Sequence, residues 1–234
     1  MKNDDNDDKD PANYRPISLL NTLMKIYEGI ISSRLSKHLE NNDLISPYQA
    51  AYRKNRSSFD NILILHEIFL EYKFFKRGPR GGISKKVLYL CFLDLKKAFD
   101  TVDRNILFRK LCRAGVRGKL LRVIQNLFSR NLANVSVDGF LSPDFFINRG
   151  VLQGSKLGPI LFNLFINDLL VELNSSNLGA AIGPILIAAL GFADDIVLIS
   201  DNPRSMQKLL DVAYEWAKTN LMSFNPDKCK AMVC

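Results

Sequence analysis

Three observations predict an α+β fold. Residues 87–93 form an unbroken apolar run that stops at Asp94, the pattern of a short strand buried on both faces. Two further apolar runs, 185–190 and 196–199, flank Gly191-Phe192-Ala193-Asp194-Asp195 and read as strands joined by a tight turn. Elsewhere several stretches carry apolar residues at helical spacing, and neither an internal repeat nor a flexible linker divides the chain, so these elements belong to one compact unit.

In order along the chain, residues 21–39 predict an amphipathic helix with Leu23, Ile26, Tyr27, Ile30, Ile31 and Leu35 at helical spacing. Pro47 ends that pattern, and Ser57-x-x-Asp60 resembles a capping box opening a helix to about Phe75. After the strand at 87–93, Asp103 is placed to cap a helix that stops near Gly115, and a second helix spans roughly 117–129. Residues 132–138 and 145–148 suit a hairpin around Asp138-Gly139 and the loop beyond. Residues 156–173 are apolar nearly all round, which predicts a buried helix. Pro203 suits the first turn of a last helix with Met206, Leu209, Leu210, Ala213, Trp216 and Ala217 on one stripe, and a short strand at about 229–233 follows.

Composition narrows the function classes. A chain of 234 residues that is 47% apolar and 24% charged buries a full core without staples, which excludes wholesale disorder. The four cysteines, 91, 112, 229 and 234, include no Cys-x-x-Cys pair, so neither a zinc site nor a disulfide scaffold is expected. Reduced thiols suit an intracellular location, nucleus or cytoplasm. His38 and His66 lie in helical stretches, so an active site here is expected to be built from carboxylates. Residues 1–10 are acidic and polar, unlike a signal peptide. The longest apolar run, 178–193, holds Pro184 and three other turn-forming residues and, at 16 residues, is short of a membrane helix.

Charge is uneven. The net charge is +8, but residues 1–10 are net negative, so the rest is more basic still. Lys73, Lys76, Arg77, Arg80, Lys85 and Lys86 crowd a glycine-rich loop, and residues 103–130 carry eight basic side chains against Asp103 alone. Such clusters suit a polyanion, through release of its condensed counterions, or a solvated face.

Placement of the acids is more telling. Asp94 ends a buried strand, and Asp194 and Asp195 lie in the turn between two others. If those strands are neighbours, three carboxylates converge, and their repulsion requires cations. Oxygen ligands select Mg²⁺ or Mn²⁺, and a pair of such ions suits phosphoryl transfer.

With those residues in view, the chain resembles the reverse transcriptase domain of non-LTR (LINE-type) retrotransposons. Phe192-Ala193-Asp194-Asp195 is similar to the family's aromatic-x-Asp-Asp motif, and residues 92–102 (FLDLKKAFDTV) to its first metal-binding motif. Residues 150–155 (GVLQGS) resemble the nucleotide-site motif, and 14–19 (YRPISL) and 52–57 (YRKNRS) two fingers motifs. Residues 224–229 (FNPDKC) resemble the lysine-bearing motif near the palm's end. Together the motifs cover 14–234.

The resemblance implies a right-hand polymerase palm, a small antiparallel sheet with helices on one face and the acids on the other, plus fingers. Residues 1–13 would be an acidic flank, fingers lie mainly in 14–83, and palm mainly in 84–234. It implies RNA-directed DNA polymerase activity with two Mg²⁺ ions (Mn²⁺ possible) held by Asp94 and Asp194, with Asp195 as third carboxylate. The partners implied are an RNA template, a DNA primer and dNTPs, with no membrane. Phe99 would lie under the sugar and favour deoxynucleotides. Gln153 and Gly154 would line the nucleotide site, Gly154 by letting backbone approach the ligand. Arg53, helped by Lys54 or Arg56, would hold the triphosphate, and Lys228 would donate a proton to pyrophosphate. Arg15 either contacts template phosphate or ties the fingers through an ion pair; Asp100 receives no chemical role and is placed to cap a turn.

Three positions depart from the family pattern: Lys156, where the family is apolar or small, and Ala51 and Asn55, where it often has glycine. The family's strand before residue 14, its thumb and its endonuclease are expected to be absent. The alternative is therefore a truncated or domesticated remnant that binds nucleic acid without polymerising.

Overall fold

The computed structural model describes residues 14–73, 76–77, 83–84 and 87–234. The acidic flank 1–13 and most of the basic loop 73–86 lie outside the described residues.

Two long helices come first, α1 (Thr22–Asn41) and α2 (Ser58–Lys73), then the two-residue pair β1 (Lys76–Arg77) and β2 (Ile83–Ser84). Strand β3 (Tyr89–Leu93) leads into a single turn of helix, α3 (Ala98–Thr101), then α4 (Arg104–Arg113) and α5 (Gly118–Phe128). A small excursion follows: β4 (Leu132–Ala133), β5 (Ser136–Val137), β6 (Phe140–Leu141) and β7 (Phe145–Phe146). The remainder is α6 (Gly158–Ser175), β8 (Ala180–Ile182), β9 (Ile185–Ile187), β10 (Ala189–Phe192), β11 (Asp195–Ser200), α7 (Pro203–Thr219) and β12 (Lys230–Val233). Among the described residues no helix is long and apolar enough to cross a membrane.

The cap at Asp103 and the box at Ser57–Asp60 form where the sequence places them, and Asn21 caps α1 as well. Asn21 and Asp103 accept from Met24 N and Ile106 N at 2.8 and 2.9 Å, opening α1 and α4. Ser57 N donates to Asp60 Oδ2 at 2.6 Å, the reach-back half of the capping box. Asp138 and Gly139 both take positive φ and form the two-residue turn between Val137 and Phe140, so the returning strand starts at once rather than after a longer loop.

The central sheet runs β10-β11-β3-β12, antiparallel throughout. Alternation sends its two faces into different cores. Cys91, Leu93, Ile196 and Leu198 join the larger core with α1, α4, α5, α6 and α7. Leu90, Leu190, Val197 and Ile199 join a smaller one with Ile68 and Tyr72 of α2 and the β8–β9 hairpin. The second face is therefore not open as expected: α2 and the hairpin cover one half. The half around Phe92 and Phe192, 40% and 38% exposed, meets solvent.

Two elements differ from the sequence reading for identifiable reasons. The apolar run 185–190 is two strands, not one. Asn174 Oδ1 accepts from Ala188 N and Ala189 N, and its Nδ2 donates to Ala189 O, which breaks the run at Ala188. On α1 the expected stripe splits. Ile31 and Leu35 are buried, but Leu23, Ile26, Tyr27 and Ile30 face outward, and Glu28 is buried instead. Glu28 accepts from Ser155 Oγ (2.9 Å) and Lys156 N (3.0 Å), while Ser155 Oγ accepts from Leu157 N and Gly158 N at the start of α6. A buried carboxylate with such partners is tolerated. Exposed Lys156 lays its stem against Gly29 of α1, and Asn55 takes φ +60°, a conformation asparagine shares with glycine.

Two of the eight basic residues in 103–130 are structural. Arg104 is buried and donates to the carbonyls of Gly150, Phe128, Ile147 and Arg149, its guanidinium 5.0 Å above the Phe128 ring. Lys110 is buried against Asp168 at 2.7 Å and the rings of Phe165 and Trp216, tying α4 to α6 and α7. The other six are exposed. His38, as expected of a helix histidine, is satisfied: its Nε2 lies 2.8 Å from Ala114 O.

Candidate active site

Pairing register explains why the three acids meet. Leu93 pairs with Ile196, so one step further along these antiparallel strands Asp94 and Asp195 stand side by side. Phe192 pairs with Asp195 across a turn of two residues, Ala193 and Asp194. All three acids line one cleft of about 540 Å³ at the uncovered end of the sheet.

Ala193 holds φ +57°, a left-handed conformation that costs an L residue roughly 1–2 kcal/mol. Such a turn persists only when its surroundings fix it.

Burial is the largest influence on three of the acids in the cleft. Burial, with the charges of Asp195 and Asp94 added, pushes the Asp194 carboxyl above the ordinary carboxylate range; its own backbone N–H and Arg15 pull the other way. Asp195 is raised by burial and then by Asp94, against Arg15 and Lys228. Asp100, a fourth carboxylate in the cleft, is raised by burial and eased by Gln153 and Lys97. Among the described residues no three acid, histidine or cysteine side chains form a ready metal cage. An all-oxygen set of this kind nonetheless suits Mg²⁺, which is commonly held by one or two carboxylates with waters and substrate phosphates.

Several expected residues share that cleft. Phe99 is half-buried, stacked on Phe162 (centroids 4.6 Å, interplanar 13°) and met edge-on by Tyr52 at 6.4 Å. Gln153 Nε2 donates to Asp100 Oδ1 at 3.2 Å, so Asp100 serves Gln153 rather than capping a turn through its side chain. Lys228 is exposed at the rim, on a turn whose Asn225 N donates to Asp94 O at 2.8 Å.

Gly154 lines the cleft for a different reason from the one expected. Its φ is +106°, and a Cβ there would lie 2.5 Å from Ser18 O. Ser18 N donates to Gln153 O at 2.7 Å, so the close approach is by the chain segment that brings Tyr14 and Arg15 into the cleft, not by a ligand. Gly154→Ala is expected to cost about 1–3 kcal/mol in urea unfolding by displacing that segment.

Arg53, Lys54 and Arg56 are not among the cleft-lining residues. Arg53, its side chain 10% exposed, forks onto Glu40 at 2.8 and 2.7 Å, and its Nη1 donates to Ser46 O and Gln49 O. The bond from Arg53, with the charges of Arg53 and Arg56, holds the Glu40 carboxyl below its usual range despite burial. A guanidinium so committed has no fork left for phosphate. Lys54 and Arg56 are exposed outside the cleft. Arg15 is the arginine the structure puts there.

Sequence reading also missed residues. Tyr52 lines the cleft at φ +56° and 55% exposure, with its phenol raised by burial and by Asp194. Gln49 bonds both backbone groups of Ala193. The signal for Tyr52 was present, in a motif read for its cations. For Gln49 there was none, because its partner lies 144 residues away.

Comparison with known proteins gives a consistent result. The family model described as reverse transcriptase (RNA-dependent DNA polymerase) matches residues 2–233. The Pol polyprotein of the type-2 retrotransposable element R2DM of Drosophila melanogaster is 31% identical over 222 residues, covering 94% of this chain and 20% of that protein. The Pol polyprotein of the type-1 retrotransposable element R2 of Popillia japonica is 31% identical over 226 residues, covering 96% and 30%. The RNA-directed DNA polymerase from mobile element jockey of Drosophila funebris is 30% identical over 226 residues, covering 94% and 23%. The chain thus spans under a third of these relatives. Among solved structures, apo telomerase from Candida tropicalis, truncated from its C-terminal domain, superposes with a TM-score of 0.64 at 14% identity, covering 90% of this chain and 41% of that one, a likeness of fold.

Proposed function

The chain belongs to the reverse transcriptase (RNA-dependent DNA polymerase) family, and on that premise we propose that it carries out template-directed transfer of deoxynucleotides to a primer 3′-hydroxyl, copying RNA into DNA. The observation that carries this reading is the meeting of Asp94, Asp194 and Asp195 in a cleft flanked by Arg15 and Lys228 and walled by Phe99. Two Mg²⁺ ions, or Mn²⁺, bound there would activate the attacking oxygen and stabilise the leaving one.

Asp94 and Asp194 are the proposed ligands, with Asp195 beside them to complete the negative field. Arg15 takes the place first given to Arg53, as the guanidinium for the triphosphate. Lys228 at the rim donates a proton to departing pyrophosphate. Gln153, oriented by Asp100, presents its amide to the nucleotide. The Phe99 ring, fixed between Phe162 and Tyr52, underlies the sugar and excludes a 2′-hydroxyl. An RNA template and DNA primer are the proposed polyanionic partners.

Primer extension on an RNA template with Mg²⁺ tests the reading. Incorporation of dNTPs in preference to rNTPs is expected, and Phe99→Val is expected to raise rNTP use by about tenfold or more, as one steric contact is worth about 1–3 kcal/mol. Salt-sensitive template binding without incorporation would instead support a protein that binds nucleic acid and does not polymerise.

A further inference from the structure

Gln49 is fully buried, at 0% exposure, although it lies in a loop between α1 and α2. Its side-chain amide bonds both backbone groups of one residue 144 positions away, while Oε1 also accepts from Ala51 N at 3.0 Å within its own loop. Oε1 accepts from Ala193 N at 2.9 Å, and Nε2 donates to Ala193 O at 3.2 Å. Ala193 is the residue at φ +57° in the turn that presents Asp194.

The loop itself is fixed from three directions. Arg53, forked on Glu40, donates from Nη1 to Gln49 O at 3.1 Å. Asn163, a fully buried residue of α6, donates from Nδ2 to Ala51 O at 2.7 Å. Ala50 N donates to Gly191 O, and Gly191 N to Tyr48 O, at 3.0 and 2.9 Å, joining the loop to β10. Gln49 therefore reaches Ala193 from a rigid base.

We propose that Gln49 is a positioning residue: its amide clamps Ala193 in the left-handed conformation and so sets the Asp194 carboxylate in the cleft. The chemistry that Asp194 then serves rests on the polymerase reading above; the clamp does not. Glutamine is required because one side chain must offer a donor and an acceptor at the same reach. Glutamate lacks the donor, methionine has no donor and only a weak sulfur acceptor, and asparagine is one methylene short.

Three measurements on the 234-residue chain test this. The first is amide hydrogen exchange of the unmodified protein. The Ala193 amide, bonded to a buried acceptor, is expected to exchange at least about a hundredfold slower than an open turn. The second is Mn²⁺ binding followed by electron paramagnetic resonance, with Asp194→Asn as the reference for loss of the site. Gln49→Met is expected to weaken Mn²⁺ binding by about tenfold, and in the third, primer extension, to lower kcat by about ten- to a hundredfold with nucleotide KM within about twofold, the effect of a small misplacement. Adding Ala193→Gly to Gln49→Met is expected to restore most of both losses, because glycine takes φ +57° without penalty. A role in folding alone would not be rescued at Ala193.

Free exchange at Ala193, a Gln49→Met protein equal to the unmodified one, or a loss that Ala193→Gly leaves in place would each overturn the clamp. Should Gln49→Met fail to fold, exchange in the unmodified protein decides. An unmodified chain that neither binds Mn²⁺ nor extends a primer overturns the polymerase reading instead, and exchange at Ala193 still decides the clamp.

Discussion

Asp194→Asn is expected to abolish primer extension while making the metal-free protein more stable. The loss should reach about a thousandfold or more, about 4 kcal/mol of transition-state stabilisation, in single-turnover extension with saturating Mg²⁺. The gain follows from the raised Asp194 carboxyl. Because its folded-state pKa lies above the unfolded value, the native state holds more protons than the unfolded state between the two. Stability therefore falls as pH rises through that window, and the cost is fully present above the folded-state pKa. Asparagine removes the charge at nearly the same volume. Calorimetry at pH 7 in chelator should give Asp194→Asn the higher Tm, with the difference shrinking in acid as the unmodified carboxyl takes up its proton. A variant that keeps a tenth of the activity would refute the ligand role; a lower Tm at pH 7 would refute the electrostatic account.

Arg104→Ala is expected to be among the most destabilising single changes, at about 3–4 kcal/mol in denaturant unfolding. Four carbonyls lose a donor, those of Gly150 and Phe128 in a buried setting and those of Ile147 and Arg149 in a part-buried one, and Phe128 loses its cation. Burial pushes this guanidinium down from its usual range, the sign of a charge held without an acid beside it. Arg104→Lys should recover less than half, since an ammonium cannot fork to carbonyls in several directions. The segment released by the change runs straight into Gln153, so nucleotide KM should rise together with the loss of stability. A cost under about 1 kcal/mol would show that water replaces the missing donors.

Sheet and turn were legible because both depend on local pattern. A strand buried on two faces must be continuously apolar, so an acid marks the point where the sheet leaves the core; Asp94 and the Asp194-Asp195 turn are such points. The cap at Asp103 and the Ser57–Asp60 box likewise act within three residues. What escaped notice was decided by distant partners. Glu28 is buried because Ser155 and Lys156 satisfy it, which turns an apolar stripe of α1 outward. Arg53 looked available for phosphate until Glu40 was found in its fork. Gly154 looked like a ligand contact until Ser18 proved to cross it. Each was decided by a partner that spacing along the chain does not reveal, a neighbour brought in by the fold.

The central place of β3 has a consequence for how the chain acquires its shape. Both partners of this strand, β11 and β12, begin pairing with it only at residues at least 103 positions further on. At synthesis rates of about 5–20 residues per second, β3 emerges roughly 5–20 s before either neighbour exists. Throughout that interval a charge-free apolar segment, Tyr89–Leu93, presents two open edges. High contact order of this kind also slows folding once the chain is complete. The strand that carries Asp94 is thus the most exposed to misassociation on the ribosome, and a nascent chain interrupted before β11 would be a seed for aggregation.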